Sequence, residues 1–150
     1  MNDNKNPVPV PSENIEEIYT KLYDLEQTAI KDMVINQDMI DNFDNCAKIL
    51  KWQKYYNEWN RTKNGIEHEY KRIKSIRYFI IKDSNIYNMS EKEILLKMEA
   101  DPIIISYKNC MDALELVLAF IQKIESLLDN QRYDIKEKFN YMRWVNGEDF

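Results

Sequence analysis

Glycine is nearly missing from this chain, with two residues in 150, and proline occurs only four times. β-Rich folds use turn residues far more often, because glycine supplies positive φ and proline presets the bend. Helix is therefore the expected secondary structure throughout. The same scarcity excludes a chemistry: a phosphate-cradling P-loop or a dinucleotide fingerprint needs clustered glycines, and these two stand at 65 and 147. The chain is not expected to be a nucleotide-driven motor or a recombinase itself. The two cysteines, Cys46 and Cys110, lie far apart and outside any C-x-x-C spacing. That pattern indicates neither a zinc site nor a disulfide framework, and both are expected to be buried reduced thiols. The single histidine, His68, stands between Glu67 and Glu69 with no second histidine and no Glu-x-x-His spacing, so a di-metal carboxylate bundle lacks its ligands. Carboxylates are plentiful, but none is marked as one of an acid–base pair. No enzyme activity, metal or cofactor is expected.

Long apolar runs are missing too. The greasiest stretches, Ile103-Ile104-Ile105 and residues 114–121, fall well short of the roughly 20 apolar residues of a membrane span. The first residues, Met1 to Asn6, lead into Pro7-Val8-Pro9-Val10-Pro11 without the basic start and apolar run of a signal peptide. A cytoplasmic protein without membrane partners is the expectation.

A hydrophobic share of 44% and a charged share of 31% suit a globular or coiled-coil chain. Residues 1–11 read as an extended proline-rich tail, and residues 12–150 as one helical domain, an elongated all-α fold with a long central helix. Within it, residues 12–83 form the N-terminal helices and residues 84–150 the C-terminal ones. Asn14 with Glu17 makes a capping box that opens the first helix, which carries Ile15, Ile18, Tyr19, Leu22, Leu25 and Ala29 on one stripe and ends near Ile35. A long second helix begins between Asp38 and Asp41, with Met39, Phe43, Cys46 and Leu50 as its buried side, and runs to about Asp83. Beyond Gly65, Ile66, Ile73 and Ile80 repeat every seven residues, with Ile76 between, as a coiled-coil seam does. A polar loop over residues 83–88 follows. Ser90 with Glu93 caps a short helix, and Asp101-Pro102 opens the next. That helix carries Tyr107, Leu114, Val117, Leu118, Ile121, Ile124 and Leu128 in a near-heptad. A final helix puts Ile135, Phe139, Met142 and Val145 on one side and stops at Gly147. Together the residues from Leu114 to Val145 named here offer more apolar surface than one slender domain needs. They are expected to join copies into a homo-oligomer.

The net charge of −5 conceals a segregation. Residues 48–82 hold ten basic side chains against three acidic ones, so this stretch is +7 and the remainder −12. Sign segregation of this kind points to an anionic partner. Aromatic residues interleave with the cations, and that combination suits single-stranded nucleic acid: cations neutralise phosphates while ring faces stack on unpaired bases. At 100° per residue, Lys48, Lys51, Trp52, Tyr55 and Trp59 share one broad face opposite Phe43, Cys46 and Leu50. Lys71, Lys74 and Tyr78 share another. With Lys54, Arg61, Lys63, Arg72 and Arg77 these form the candidate DNA-binding set.

Three stretches resemble the UvsY family of phage recombination mediators. One is the basic, Trp-containing Lys51-Trp52-Gln53-Lys54, and another the block from Tyr70-Lys71-Arg72 to Arg77-Tyr78-Phe79. The third is the ending, Arg132-Tyr133-Asp134-Ile135-Lys136 continuing to Tyr141-Met142-Arg143-Trp144-Val145-Asn146-Gly147. The resemblance spans about residues 45–147 and rests on the order of all three. The chain departs from the family pattern at Phe79-Ile80-Ile81-Lys82, where a glycine usually follows an aromatic pair, and at Arg132, where a glycine is usual. The resemblance implies a homo-oligomer acting in DNA recombination and repair, which binds single-stranded DNA, helps displace the single-strand-binding protein and loads a RecA-like recombinase. Lys71, Lys74 and Arg77 would lead the DNA contact. Two other readings stay open: a helical interaction or assembly-chaperone-like protein whose aromatics are only core, and a regulator of duplex DNA, which lacks a helix-turn-helix with a glycine turn.

Overall fold

The computed structural model describes residues 10–84 and 88–148. The proline-rich tail up to residue 9 and the centre of the 83–88 loop lie outside the described residues. The fold is all-α, with no strand among the described residues. Five helices follow in order: α1 (Ile15–Asp32), α2 (Gln37–Asp41), α3 (Cys46–Asp83), α4 (Glu91–Glu99) and α5 (Pro102–Val145). None is long and apolar enough to cross a membrane.

The helix starts follow from local chemistry. The Asn14 carboxamide oxygen accepts the Glu16 and Glu17 N–H groups at the head of α1. Ser90 and Glu93 form a reciprocal capping box on α4. Asp101 caps α5 by accepting the Ile103 N–H at 2.9 Å, with Pro102 in the first turn, where a missing amide costs nothing. At the far end of α5, Gly147 takes φ +71°. Its N–H bonds to the Trp144 carbonyl and that of Glu148 to the Arg143 carbonyl, the paired bonds of a Schellman stop.

Two expected boundaries differ. The single helix expected from about residue 38 is broken at residues 42–45. There Phe43 adopts φ +53°, its N–H bonds to Ile40 and the Asp44 N–H bonds to Met39, so α2 closes with the same Schellman pattern without a glycine. A phenylalanine in the left-handed region gives no sequence signal of a helix end, which is why the stop was not expected. Conversely, the two C-terminal helices are one uninterrupted 44-residue helix. Its charged stretch around residues 129–138 holds no proline or glycine to end it.

The described residues form two compact units built from non-consecutive segments, one of residues 10–19, 61–84 and 88–115, the other of residues 20–60 and 116–148. In the first, Ile18, Ile66, Ile73, Ile94, Met98, Ile104, Tyr107, Cys110 and Leu114 are buried. In the second, the core holds Ala29, Met39, Ile49, Trp52, Val117, Leu118, Ile121, Ile124, Leu128 and Ile135.

The apolar phase of early α3 is opposite to the one expected. Leu50 is 64% exposed and Phe43 and Cys46 are exposed, whereas Ile49 and Trp52 are buried. The residues assigned to oligomerisation need a parallel correction. Leu114, Val117, Leu118, Ile121, Ile124, Leu128 and Ile135 are all covered within the single chain, so they offer no open surface. Of that set, only Met142 and Val145 are exposed, with Phe139 half-buried 5.3 Å from the Phe43 ring.

Candidate nucleic-acid interface

In the first half of α3 the cations serve the fold. The Lys48 ammonium donates to the Asp32 and Val34 carbonyls at 2.9 and 3.2 Å, which satisfies the open end of α1 and places a positive charge at its negative pole. Lys51 pairs with the Asp32 carboxylate. The same carboxylate accepts the indole N–H of Trp52 at 2.9 Å, and Trp52 is 0% exposed, with the Phe120 ring edge-on at 6.2 Å. Trp52 therefore cannot stack on a base: its area and its only polar atom are both taken. Tyr55 packs edge-on against Trp52, and Trp59 is half-buried with the Lys21 ammonium 5.8 Å from its ring. Lys54 is exposed and loosely paired with Glu58 one turn on. Lys63 turns to Glu67 and Glu115.

The second half of α3 is different. Ile66 and Ile73 bury one side, and Arg61, His68, Lys71, Arg72 and Lys82 are exposed on the other. Laid out at 100° per residue, the outward arc reads Arg61, Asn64, His68, Lys71, Arg72, Ser75, Phe79 and Lys82. No acidic side chain falls on this arc. Glu67, Glu69 and Asp83 lie to its sides. Lys74 lies outside the arc, on the far side of Glu67, 5.9 Å from the Tyr70 ring. Arg61, Lys71, Arg72, Lys74 and Lys82 have no ion-pair partner among the described residues.

Arg77 departs from this group. Its Nε donates to the Asp101 carboxylate at 2.6 Å, and the Asp101 side chain is only 3% exposed. An arginine holding a buried carboxylate is not available to a phosphate, so Arg77 leaves the expected contact set. An aromatic platform does remain on the outward face, but it is Phe79, 57% exposed and set edge-on against the half-buried Tyr78. Phe79 was not among the candidates. Its signal in the sequence was its position one turn after Ser75 and two after Arg72 on the basic arc.

Beside this arc the first unit opens into a pocket of about 530 Å³, with Arg72 and His68 at its rim and Glu69, Ile73 and Tyr107 in its wall. Glu69 Oε2 accepts the Ser12 N–H at 3.0 Å and lies 3.5 Å from the Tyr107 hydroxyl, which is also 3.3 Å from the Val10 carbonyl. Burial and then the nearby Glu69 charge push the Tyr107 phenol up, so it stays protonated at neutral pH. Of the two thiols, Cys110 is buried and pushed up by desolvation, as expected of a core cysteine. Cys46 is exposed, against expectation, because the early α3 phase is reversed. Its thiol is pushed up chiefly by its hydrogen bond to the Asp44 carboxylate.

No protein-family model, no curated protein and no solved structure matches this chain.

Proposed function

We propose that the protein binds single-stranded DNA along the outward face of α3 between Arg61 and Lys82, and that it acts as a recombination mediator. The observation that carries the DNA reading is the acid-free arc: four cations, Arg61, Lys71, Arg72 and Lys82, without ion-pair partners among the described residues, with one exposed aromatic among them and Lys74 to one side, on a chain whose net charge is −5. A helix face of positive charge on a chain that is otherwise net acidic holds a phosphate backbone in one place and repels it elsewhere. Phe79 adds a face on which an unpaired base stacks. The mediator role, with a RecA-like recombinase and the single-strand-binding protein as partners, rests on the resemblance to the UvsY family.

Fluorescence anisotropy on single- and double-stranded oligonucleotides at two salt concentrations tests the DNA reading. Replacing Lys71, Arg72 and Lys74 by alanine should weaken binding on every sequence alike and lower the log–log salt slope by about 2, since each phosphate contact on a single strand contributes about 0.7. Wild-type binding in that variant would overturn the assignment. Loading of a recombinase onto coated DNA is then measured by adding the protein to recombinase, single-strand-binding protein and DNA.

Self-association is proposed for the last turns of α5, where Tyr141, Met142, Trp144 and Val145 are exposed. Tyr141→Asp with Trp144→Asp should give a smaller species in sedimentation with helicity intact. A second reading, a helical interaction protein without nucleic-acid binding, is favoured by the internal use of Trp52, Lys48, Lys51 and Arg77. It predicts no salt-sensitive binding to either oligonucleotide.

A further inference from the structure

We infer that the pocket beside Arg72 is a base-reading subsite, which takes an unpaired nucleotide whose base carries an exocyclic amino group and accepts cytosine in preference to thymine. The inference rests on the single-stranded DNA reading above. The pocket's chemistry is mixed in a way that narrows its ligand. Arg72 at the rim calls for an anionic group, and His68, one helical turn before it, lines the same rim. The Glu69 carboxylate in the wall repels such a group and calls for a hydrogen-bond donor. A bare phosphate fails the second demand and a cation fails the first. A nucleotide meets both, with its phosphate outside on the arc and its base inside.

The carboxylate is held for this task. Glu69 Oε2 is engaged by the Ser12 N–H, and Oε1 receives no hydrogen bond among the described residues. Ile73 supplies an apolar wall, and the Tyr107 ring is buried with the Tyr70 ring 6.2 Å away. The volume of about 530 Å³ falls inside the ~300–1,000 Å³ of small-ligand pockets. A carboxylate only accepts hydrogen bonds, so it accepts one from the amino group of cytosine. Thymine presents a carbonyl oxygen at that position, and its one ring N–H is flanked by two carbonyls. The two pyrimidines thus differ at the atom Glu69 reads, while their stacking and their phosphates are alike.

The experiment uses the full chain and labelled oligo(dC) and oligo(dT) of equal length in anisotropy at pH 8, where cytosine is unprotonated. Oligo(dC) should bind about tenfold tighter, the scale of one good base-edge contact. Oligomers of N4,N4-dimethylcytosine, which has lost both donors, should fall to the oligo(dT) level without any change to the protein. Glu69→Gln should abolish or reverse the preference and leave the salt slope unchanged, because no cation is removed. Arg72→Ala should weaken both oligomers by a similar factor. Equal affinity for oligo(dC) and oligo(dT), or full affinity for the dimethylated oligomer, overturns the subsite and leaves the DNA reading standing. Binding of neither oligomer overturns both.

Discussion

Arg77 separates a cation that builds the fold from one that serves a ligand. Its partner Asp101 is nearly sealed from water and also caps α5. In Arg77→Ala the carboxylate stays buried without its counter-charge, and breaking a buried pair from one side costs about 3–5 kcal/mol. Because Arg77 is itself 26% exposed, water can reach part of the gap, and the lower end, about 3 kcal/mol, applies. At about 2–4 °C per kcal/mol for a chain of this size, the melting temperature should fall by about 6–12 °C. Asp101→Asn is the informative contrast. Its side-chain oxygen still caps the helix and the Arg77 head can turn to solvent, so the loss should be about 1 kcal/mol. Circular-dichroism melts of the two variants read this asymmetry, and anisotropy below the melting range reads the salt slope. A wild-type melting temperature in Arg77→Ala, or a salt slope lowered by about 0.7 in the folded variant, would refute the structural assignment.

Trp52→Ala should destabilise the chain by about 3–5 kcal/mol in chemical denaturation, the cost of emptying a core tryptophan site, while Phe79→Ala should leave stability nearly unchanged and weaken DNA binding by about 1–3 kcal/mol. Gly65 sits inside α3 with open space where a Cβ would go, so Gly65→Ala should raise stability by about 0.5–1 kcal/mol in the same assay. Burial pushes the Glu125 carboxyl up, and its Oε1 is enclosed without a donor among the described residues. A raised folded-state value means that Glu125's contribution is full below the unfolded value and is lost as pH rises through the folded one. Glu125→Gln should therefore melt higher than wild type at pH 7, and the difference should close below about pH 4.

The helical class and three of the caps were legible because they depend on a few neighbouring residues: Asn14, Ser90 with Glu93, and Asp101-Pro102 each carry their own signal. Of the expected Ile66/Ile73/Ile80 seam with Ile76 between, Ile66 and Ile73 are buried, but Ile76 and Ile80 are 43% and 47% exposed, so the heptad was legible only in part. What failed was phase. Phe43, Cys46 and Leu50 were read as a continuation of α2's buried side, but the turn at Phe43 resets the helix and rotates every later position. The correct phase was available from the other direction. Counting back by sevens from Ile73 and Ile66 reaches Trp59 and then Trp52, so the tryptophans extend the isoleucine seam and belong to the buried or half-buried side. An apolar seam read from inside an uninterrupted helix is the safer guide than one carried across its start. The α5 heptad shows a different limit: the spacing of Leu114 to Leu128 reveals a buried stripe, but it does not reveal whether the same chain or another copy covers it.

Charge raises the same difficulty in another form. The excess in residues 48–82 is a property of the sequence, but a phosphate meets only the cations that the fold leaves open. Lys51, Lys63 and Arg77 are drawn to carboxylates at Asp32, Glu115 and Asp101, which lie outside that stretch and which no count within it includes. Lys48 is drawn to backbone carbonyls that a charge count cannot register. Within residues 48–82, the cations with neither an ion-pair nor a carbonyl partner among the described residues are Arg61, Lys71, Arg72, Lys74 and Lys82, and all of these but Lys74 share an outward arc that carries no carboxylate. A segment read as uniformly basic thus resolves into two halves of one helix, the first using its positive charge to close the end of α1 and the second presenting it. The functional claim on the DNA set consequently narrows to Arg61, Lys71, Arg72, Lys74, Lys82 and Phe79, and a variant series confined to Lys48, Lys51 and Trp52 would report on folding alone.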